Sequence, residues 1–319
     1  MKTIAMLTSG GDAPGMNACI RAVARTAFSK GLRVKGIRFG YDGLMNGDIY
    51  EMNVSSVADI IQKGGTILGS ARSEEFKKPE GRNRALTILN RFGIDGLVVM
   101  GGDGSMMGAY ELDKLGIKTV CIPCTIDNDM GYTDYTIGFH TACETVIESI
   151  GRLRDTSASH ARANIVQVMG RHCGDLALFA GLAGGAESIV VPEHGYDARE
   201  IIDRIKRGIL RGKRHHIIVE AEGVGDPYSL AQEIQKETGV DTRITILGHV
   251  QRGGPPSFTD AKMGCIMGSM AVEALAMGES SISIGNRGLE YFKMPIEEAV
   301  NAKGEFNEDI YELAGILSM

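Results

Sequence analysis

The chain has 319 residues, 43% hydrophobic and 23% charged, a balance that excludes a disordered, collagenous or coiled-coil chain and fits two globular domains. Its 34 basic and 40 acidic residues give a net charge of −6, which argues against a nucleic-acid coat and leaves anionic ligands to local arginine and lysine clusters. Glycine, at 43 residues against 8 prolines, is about twice its usual frequency, as expected where ordered backbone turns tightly or approaches something closely.

In chain order, short apolar runs alternate with helical periodicity. A buried strand is predicted at 3–8, then a helix at 15–30 whose Met16, Ile20, Val23 and Ala27 form one stripe, with Gly31 as its stop. A strand at 97–100, a helix to about 115 and a strand at 118–122 follow. Next come a helix at 139–154, a strand at 164–169, a helix at 175–182 and a strand at 188–191. The remainder reads as helix 199–210, strand 216–221, helix 228–237, strand 242–250, and helices 260–276 and 308–317. This order implies parallel sheet covered on both faces, with ligands at the carboxyl ends of strands. The longest mildly apolar stretch, 176–186, contains three glycines and is too short to span a membrane. The beginning does not read as a signal peptide. A cytoplasmic location with its six cysteines as free thiols is expected. The spacing of Cys121 and Cys124 is read as incidental.

No P-loop, dinucleotide fingerprint or zinc spacing occurs. The chemistry sits in loops after strands. Residues 9–15 (Ser-Gly-Gly-Asp-Ala-Pro-Gly) let an anion approach backbone N–H groups and a helix start, or form a plain tight turn. Residues 101–105 (Gly-Gly-Asp-Gly-Ser) leave room for a polyphosphate, and Asp103 suits either a hard cation on it or a helix cap. In 123–129 (Pro-Cys-Thr-Ile-Asp-Asn-Asp) an extended backbone would put Thr125, Asp127 and Asp129 on one side, as a general base and metal contact; an Asx turn is the alternative. Basic residues gather later, at Arg162, Arg171, His172, Arg211 to His216, and Arg243, His249 and Arg252 on one predicted strand and its exit loop, a second phosphate site. Phosphoryl transfer to a phosphorylated acceptor fits these features together.

Seven segments in order, Leu-Thr-Ser-Gly-Gly-Asp-Ala-Pro-Gly-Met-Asn-Ala from Leu7, Gly-Gly-Thr-Ile-Leu-Gly-Ser-Ala-Arg from Gly64, the loop from Gly101, Thr-Ile-Asp-Asn-Asp from Thr125, Asp-Tyr-Thr-Ile-Gly-Phe from Asp134, Val-Met-Gly-Arg-His-Cys-Gly-Asp from Val168 and Leu-Gly-His-Val-Gln-Arg-Gly-Gly from Leu247, resemble the bacterial ATP-dependent 6-phosphofructokinase family. The resemblance implies two Rossmann-like three-layer α/β/α domains with mainly parallel sheets, 1–138 plus 251–300 binding ATP and 139–250 plus 301–319 binding fructose 6-phosphate, with the active site in the cleft between them. It implies Asp127 as base, with Arg171, Arg72 and Thr125 also catalytic, and Asp103 holding Mg²⁺. Gly11, Arg72, Ser73, Gly102, Asp103, Gly104 and Ser105 would line the ATP site. Thr125, Ile126, Asp127, Met169, Gly170, Arg171, Glu222, His249, Val250, Gln251 and Arg252 would hold the sugar phosphate, with Arg162 and Arg243 reaching across a homotetramer interface. That splits Arg243 from His249.

The same resemblance implies an effector site for ADP or phosphoenolpyruvate on Arg21, Ala22, Val23, Ala24, Arg25, Arg154, Gly185, Ala186, Glu187, Arg211, Lys213, Arg214 and His215, with Gly185 and Glu187 on the metal side. Val54 and Ser55 stand where well-known members carry Arg and Tyr. Pyrophosphate-dependent relatives, the alternative, tend to carry Asp and Lys where this chain has Gly104 and Cys124, so ATP is the expected donor.

Overall fold

The computed structural model describes residues 1–318. The chain runs β1 (Thr3–Thr8), α1 (Met16–Ser29), β2 (Arg33–Ile37), α2 (Gly40–Asn46), β3 (Ile49–Met52), α3 (Pro79–Arg91), β4 (Gly96–Gly101), α4 (Asp103–Lys114) and β5 (Lys118–Thr125). It continues through β6 (Ile137–Gly138), α5 (Phe139–His160), β7 (Ala163–Val168), α6 (Asp175–Ala183), β8 (Ser188–Val190), α7 (Ala198–Leu210), β9 (His216–Ala221), α8 (Pro227–Thr238) and β10 (Thr242–Ile246). It ends with α9 (Phe258–Ala276), β11 (Ile282–Arg287), β12 (Glu290–Pro295), α10 (Ile296–Asn301) and α11 (Glu308–Leu317). Two compact units emerge, the first from Met1–Ile126, Met130–Thr141 and Arg252–Gly304, the second from Asp127–Asp129, Ala142–Gln251 and the described residues from Glu305 onward.

The first unit holds a sheet in the order β12-β11-β5-β4-β1-β2-β3, with β6 beside the end of β5. Its centre is parallel; β3 and β12 close the edges antiparallel. β1 and β4 are buried at every residue, as strands covered on both faces must be. Ala5, Leu7, Leu97, Val99 and Cys121 pack with residues of α2, α3, α4 and α10, while α1 and α9 lie on the strands from the other side. Two glycines of α9 permit a close helix pair. A Cβ at Gly264 would meet the Cys19 backbone nitrogen at 3.0 Å, and one at Gly268 would meet Ala22 Cβ and the Cys19 oxygen at 2.8 Å.

The second unit holds a parallel sheet, β10-β7-β9-β8. Ile165, Val190 and Ile218 on one face pack under Ile201, Ile202 and Ile205 of α7 and Leu230 and Ile234 of α8; α6 covers the other. Both units are therefore three-layer α/β/α arrangements, the expected fold class.

Two expectations fail. The strand predicted over 242–250 stops at Ile246, and residues 248–252 form a 3₁₀ turn, because Gly248 adopts φ 53° and turns the chain out of the sheet. The extended reading of 125–129 also fails past Thr125. β5 does run three residues further than predicted, but Asn128 sits at φ 54°, which destroys the two-residue alternation that would align Asp127 with Asp129.

Candidate active site

In the first unit, three glycine-rich segments meet at the carboxyl ends of β1, β4 and β5. Gly15 is in the left-handed region at φ 107°, as the abrupt entry into α1 requires. Segment 64–73 is drawn over the first loop. Thr8 Oγ1 donates to the Gly69 oxygen at 2.8 Å and Ser70 Oγ to the Gly10 oxygen at 2.5 Å. Asn17 donates to the Lys63 and Gly64 oxygens and accepts from the Ile67 N–H. Asn17 falls inside the segment from Leu7 quoted above, but sequence reading gave it no role. Arg72 stands exposed two residues beyond Ser70, and Ser73 Oγ accepts from the Phe76 N–H at 3.3 Å. A Cβ on Gly11 would lie 2.5 Å from Arg252 Nη1, which donates to the Asp12 oxygen at 3.0 Å. Glycine at 11 is what admits that guanidinium.

The second loop enters α4 with Gly102 as N-cap and no side-chain cap, so Asp103 is not a capping residue. It makes no hydrogen bond among the described residues, its side chain is reachable from solvent, and the protein around it nevertheless pushes its carboxyl above the ordinary value. An added Cβ at Gly104 would meet nothing within 4 Å; this glycine opens space rather than relieving a clash. Ser105 is buried, with Oγ turned toward Gly101 and its carbonyl accepting from the Tyr41 hydroxyl at 2.6 Å. The Thr125 carbonyl, at the end of β5, accepts from Thr136 Oγ1 at 2.6 Å, and Ile126 is fully buried. Cys121 and Cys124 are buried in β5, and burial pushes both thiols up, so they are inert thiols as expected.

The second unit holds the remaining residues. Asp127 is half-buried, and Asn128 Nδ2 donates to Asp175 Oδ2 at 2.9 Å at the start of α6. Parallel pairing of β7 with β9 brings Met169, Gly170 and Arg171 next to Glu222. The Glu222 N–H donates to the Val168 oxygen at 2.9 Å, and a Cβ on Gly223 would lie 2.1 Å from the Arg171 oxygen. Arg171, Glu222, His249 and Val250 are exposed. Gln251 is buried and structural in its contacts, accepting from the Met169 N–H at 3.2 Å and donating to the Gly248 oxygen at 2.9 Å. Arg162 Nε and Arg243 Nη2 both reach Asp241 Oδ2, at 2.7 and 3.0 Å. Burial raises the Asp241 carboxyl, but the two guanidiniums outweigh this and hold it below its ordinary value.

Of the predicted effector residues, Arg154 Nη2 donates to the Gly184 and Gly185 oxygens at 2.7 Å. Buried Glu187 pairs with Lys213 at 2.7 Å and stands 3.8 Å from His215, with Ala186 buried beside it. Arg211 and Arg214 are exposed. His216 does not belong to the basic cluster: it is 3% exposed, both ring nitrogens lack hydrogen-bond partners among the described residues, and burial lowers its pKa to about 4. In the first unit, Arg21 and Arg25 lie on the outer side of α1, half-buried and exposed, with Ala22 half-buried between them and Val23 and Ala24 buried. Val54 and Ser55 are exposed at the start of a 3₁₀ turn capped by Asn53.

Glycine-lined loops at parallel strand ends, a carboxylate without a hydrogen-bond partner among the described residues and an edge bearing arginines are features that suit an α/β phosphotransferase. The sequence pattern named "Phosphofructokinase" matches residues 3–275. ATP-dependent 6-phosphofructokinases of Finegoldia magna and Clostridium acetobutylicum are 60% and 57% identical to this chain, over 100% of both chains in each case. A solved phosphofructokinase of Saccharomyces cerevisiae superposes with TM-score 0.89 at 37% identity, covering 100% of this chain and 48% of that one. The chain belongs to the phosphofructokinase family.

Proposed function

We propose that the protein transfers the γ-phosphoryl group of ATP to the 1-hydroxyl of fructose 6-phosphate, giving fructose 1,6-bisphosphate and ADP. The observation that carries this is end-to-end similarity, at 55–60% identity, to relatives named ATP-dependent 6-phosphofructokinase. The open space at Gly104 supports a nucleotide donor, since an Asp there would put a negative charge against its phosphates.

In this reading the first-unit loops around Gly11, Arg72, Ser73, Gly102, Gly104 and Ser105 receive ATP, and the Met169–Arg171 and Glu222 edge, with His249 and Arg252, receives the sugar phosphate. The Asp127 carboxylate takes the proton of the 1-hydroxyl as its oxygen bonds to the γ-phosphorus. The β–γ bridging P–O bond breaks, and its electron pair leaves with ADP. Arg72 and Arg171 offset charge on the transferring group. Asp103 fits Mg²⁺. Among the described residues its carboxylate makes no hydrogen bond and no cluster of three His, Cys, Asp or Glu could hold a metal by itself, which suits an ion that takes one or two carboxylates plus substrate phosphates. Bound there, Mg²⁺ would neutralise charge on the β- and γ-oxygens.

Arg162 and Arg243, pre-aligned by Asp241, would serve a neighbouring subunit of a homotetramer. At another subunit interface of that assembly, the Arg154–Glu187–Lys213 cluster of one chain and Arg21 and Arg25 of a neighbouring one would take an anionic effector. Lacking a guanidinium and a ring at Val54 and Ser55, this site would favour phosphoenolpyruvate over ADP. The test is the purified protein with fructose 6-phosphate and Mg²⁺, offered ATP or pyrophosphate. Turnover with ATP, and a loss of about 10²–10⁴ in kcat in Asp127→Ser with KM nearly unchanged, are expected. Preference for pyrophosphate would overturn the donor, and near-normal activity of the variant would overturn the base.

A further inference from the structure

Gln167 of β7 lies opposite Glu220 of β9, and Val168 opposite Ala221. One residue beyond these pairs the chain enters the two segments proposed above to hold the sugar phosphate. Strand alternation puts Glu220 on the face of Ile218, under the apolar residues of α7 and α8. Its neighbours there give it almost nothing. Glu220 is 2% exposed, and among the described residues Oε2 is buried without a hydrogen-bond partner and Oε1 has only Gln167 Nε2 at 3.5 Å. The same amide nitrogen stands 3.4 Å from the Gly225 oxygen, in the loop that carries Glu222 and Gly223. One amide is shared between a buried carboxyl and the substrate loop.

The groups around Glu220 offer no compensation. β8 presents Val190, α7 presents Ile201 and Ile202, and α8 presents Leu230 and Ile234. Asp226, the N-cap of α8, is held below its ordinary value by hydrogen bonds from the Ser229 hydroxyl and the Tyr228 and Ser229 N–H groups, so it is ionised and repels a second charge. Tyr196, ahead of α7, is pushed up by burial and then by Glu220, Glu233 and Asp226, so its phenol is neutral. His216, on the same face of β9, is neutral too. No cation among the described residues bears on Glu220. Burial foremost, then Asp226, raises its carboxyl to about 7, with Gln167 opposing.

We infer that Glu220 is a positioning residue which, through Gln167 and the 222–225 loop, sets acceptor affinity according to its own protonation. This rests on the phosphofructokinase reading of the same edge. With Glu220 neutral, the Gln167 amide is available to the Gly225 carbonyl and the loop is pinned to β7. Ionised, Glu220 puts an unsatisfied charge into an apolar layer, draws that amide from Gly225, and adds negative charge two residues from Glu222 where a phosphate dianion must bind. Both effects weaken acceptor binding as pH rises through neutrality.

The experiment measures kcat and KM for fructose 6-phosphate from pH 6 to 8, at saturating ATP, in wild type, Glu220→Gln and Glu220→Val. Wild-type KM should rise roughly threefold or more across this range beyond any rise in the variants, while the kcat profiles coincide. Glu220→Gln, which mimics the neutral acid, should keep the low KM at pH 8. Infrared spectra of wild type should show a protonated-carboxyl band at pH 6 that is lost toward pH 8 and absent from Glu220→Gln. Parallel KM profiles in wild type and Glu220→Gln, or no such band at pH 6, would overturn the inference while leaving the proposed reaction intact. A wild type inactive on fructose 6-phosphate at every pH would instead overturn the reading beneath it.

Discussion

On β9, the face under α7 carries a second ionisable side chain that the core holds neutral. His216 packs so closely that a Cβ on Gly208 of α7 would lie 2.5 Å from its Cε1. Its pKa falls to about 4, by burial first and then by Lys213 and His215 against the opposing pull of Glu187. A base whose folded pKa is depressed below the usual ~6.5 contributes full stability above that value, and loses it as pH falls from about 6.5 toward 4. The loss is on the order of 3 kcal/mol. We predict that melting temperature drops over this window in wild type and that His216→Val flattens the acid limb; an unchanged slope would contradict it. Glu220 works from the other side, because its raised pKa costs stability as pH climbs from the ordinary glutamate range toward 7. Neither group was legible beforehand. Within 216–221 each reads as one residue of a β run, and only the packing of α7 and α8 reveals a buried titratable group. Asp103 and Gly104 were legible, because a glycine-rich turn at a strand end advertises both its space and its acid.

Elements with strong local codes matched their predicted bounds. β1, β9 and α11 coincide with expectation, since an apolar run between turn residues, or a clear helical stripe, has one reading. Residues 33–91 gave no assignment, yet contain β2, α2, β3 and α3. The first three are short and partly exposed, and α2 depends on a conformation no pattern announces, Phe39 at φ 53°; α3 is 13 residues long but buries only Gly81, Ala85 and Leu89, too thin a stripe to stand out. β12 is exposed at half of its residues, fully buried at none, and ends in proline, so its pairing with β11 is tertiary in origin. α5 runs six residues past its predicted end because Ser157 and Ser159 fold their hydroxyls back on the carbonyls of Leu153 and Asp155 instead of breaking the helix. The close α1–α9 pair was equally hidden, and it gives a prediction at this scale. Gly268→Val would force two helices apart where 2.8 Å is available, costing about 1–3 kcal/mol in chemical denaturation. A variant as stable as wild type would show that the helices tolerate the added volume.

At the scale of the molecule, each compact unit is assembled from separated stretches of chain, the first unit needing Arg252–Gly304 to close on Met1–Ile126. A chain ending at Gln251 would lack α9 over α1 and β11 beside β5, leaving the fully buried Ile20, Val23 and Val120 without their cover. We predict that such a fragment binds a hydrophobic dye and shows no cooperative melting of the first unit; a cooperative transition at the wild-type temperature would contradict this. The arrangement also has a history built into it. On a ribosome working at roughly 5–20 residues per second, α1 emerges about ten to fifty seconds before its partner α9. Throughout that interval the apolar stripe of α1 faces the crowded interior of a growing cell. Slow synthesis or a stalled message therefore endangers this protein at its amino-terminal end, far from the codon where the delay occurs.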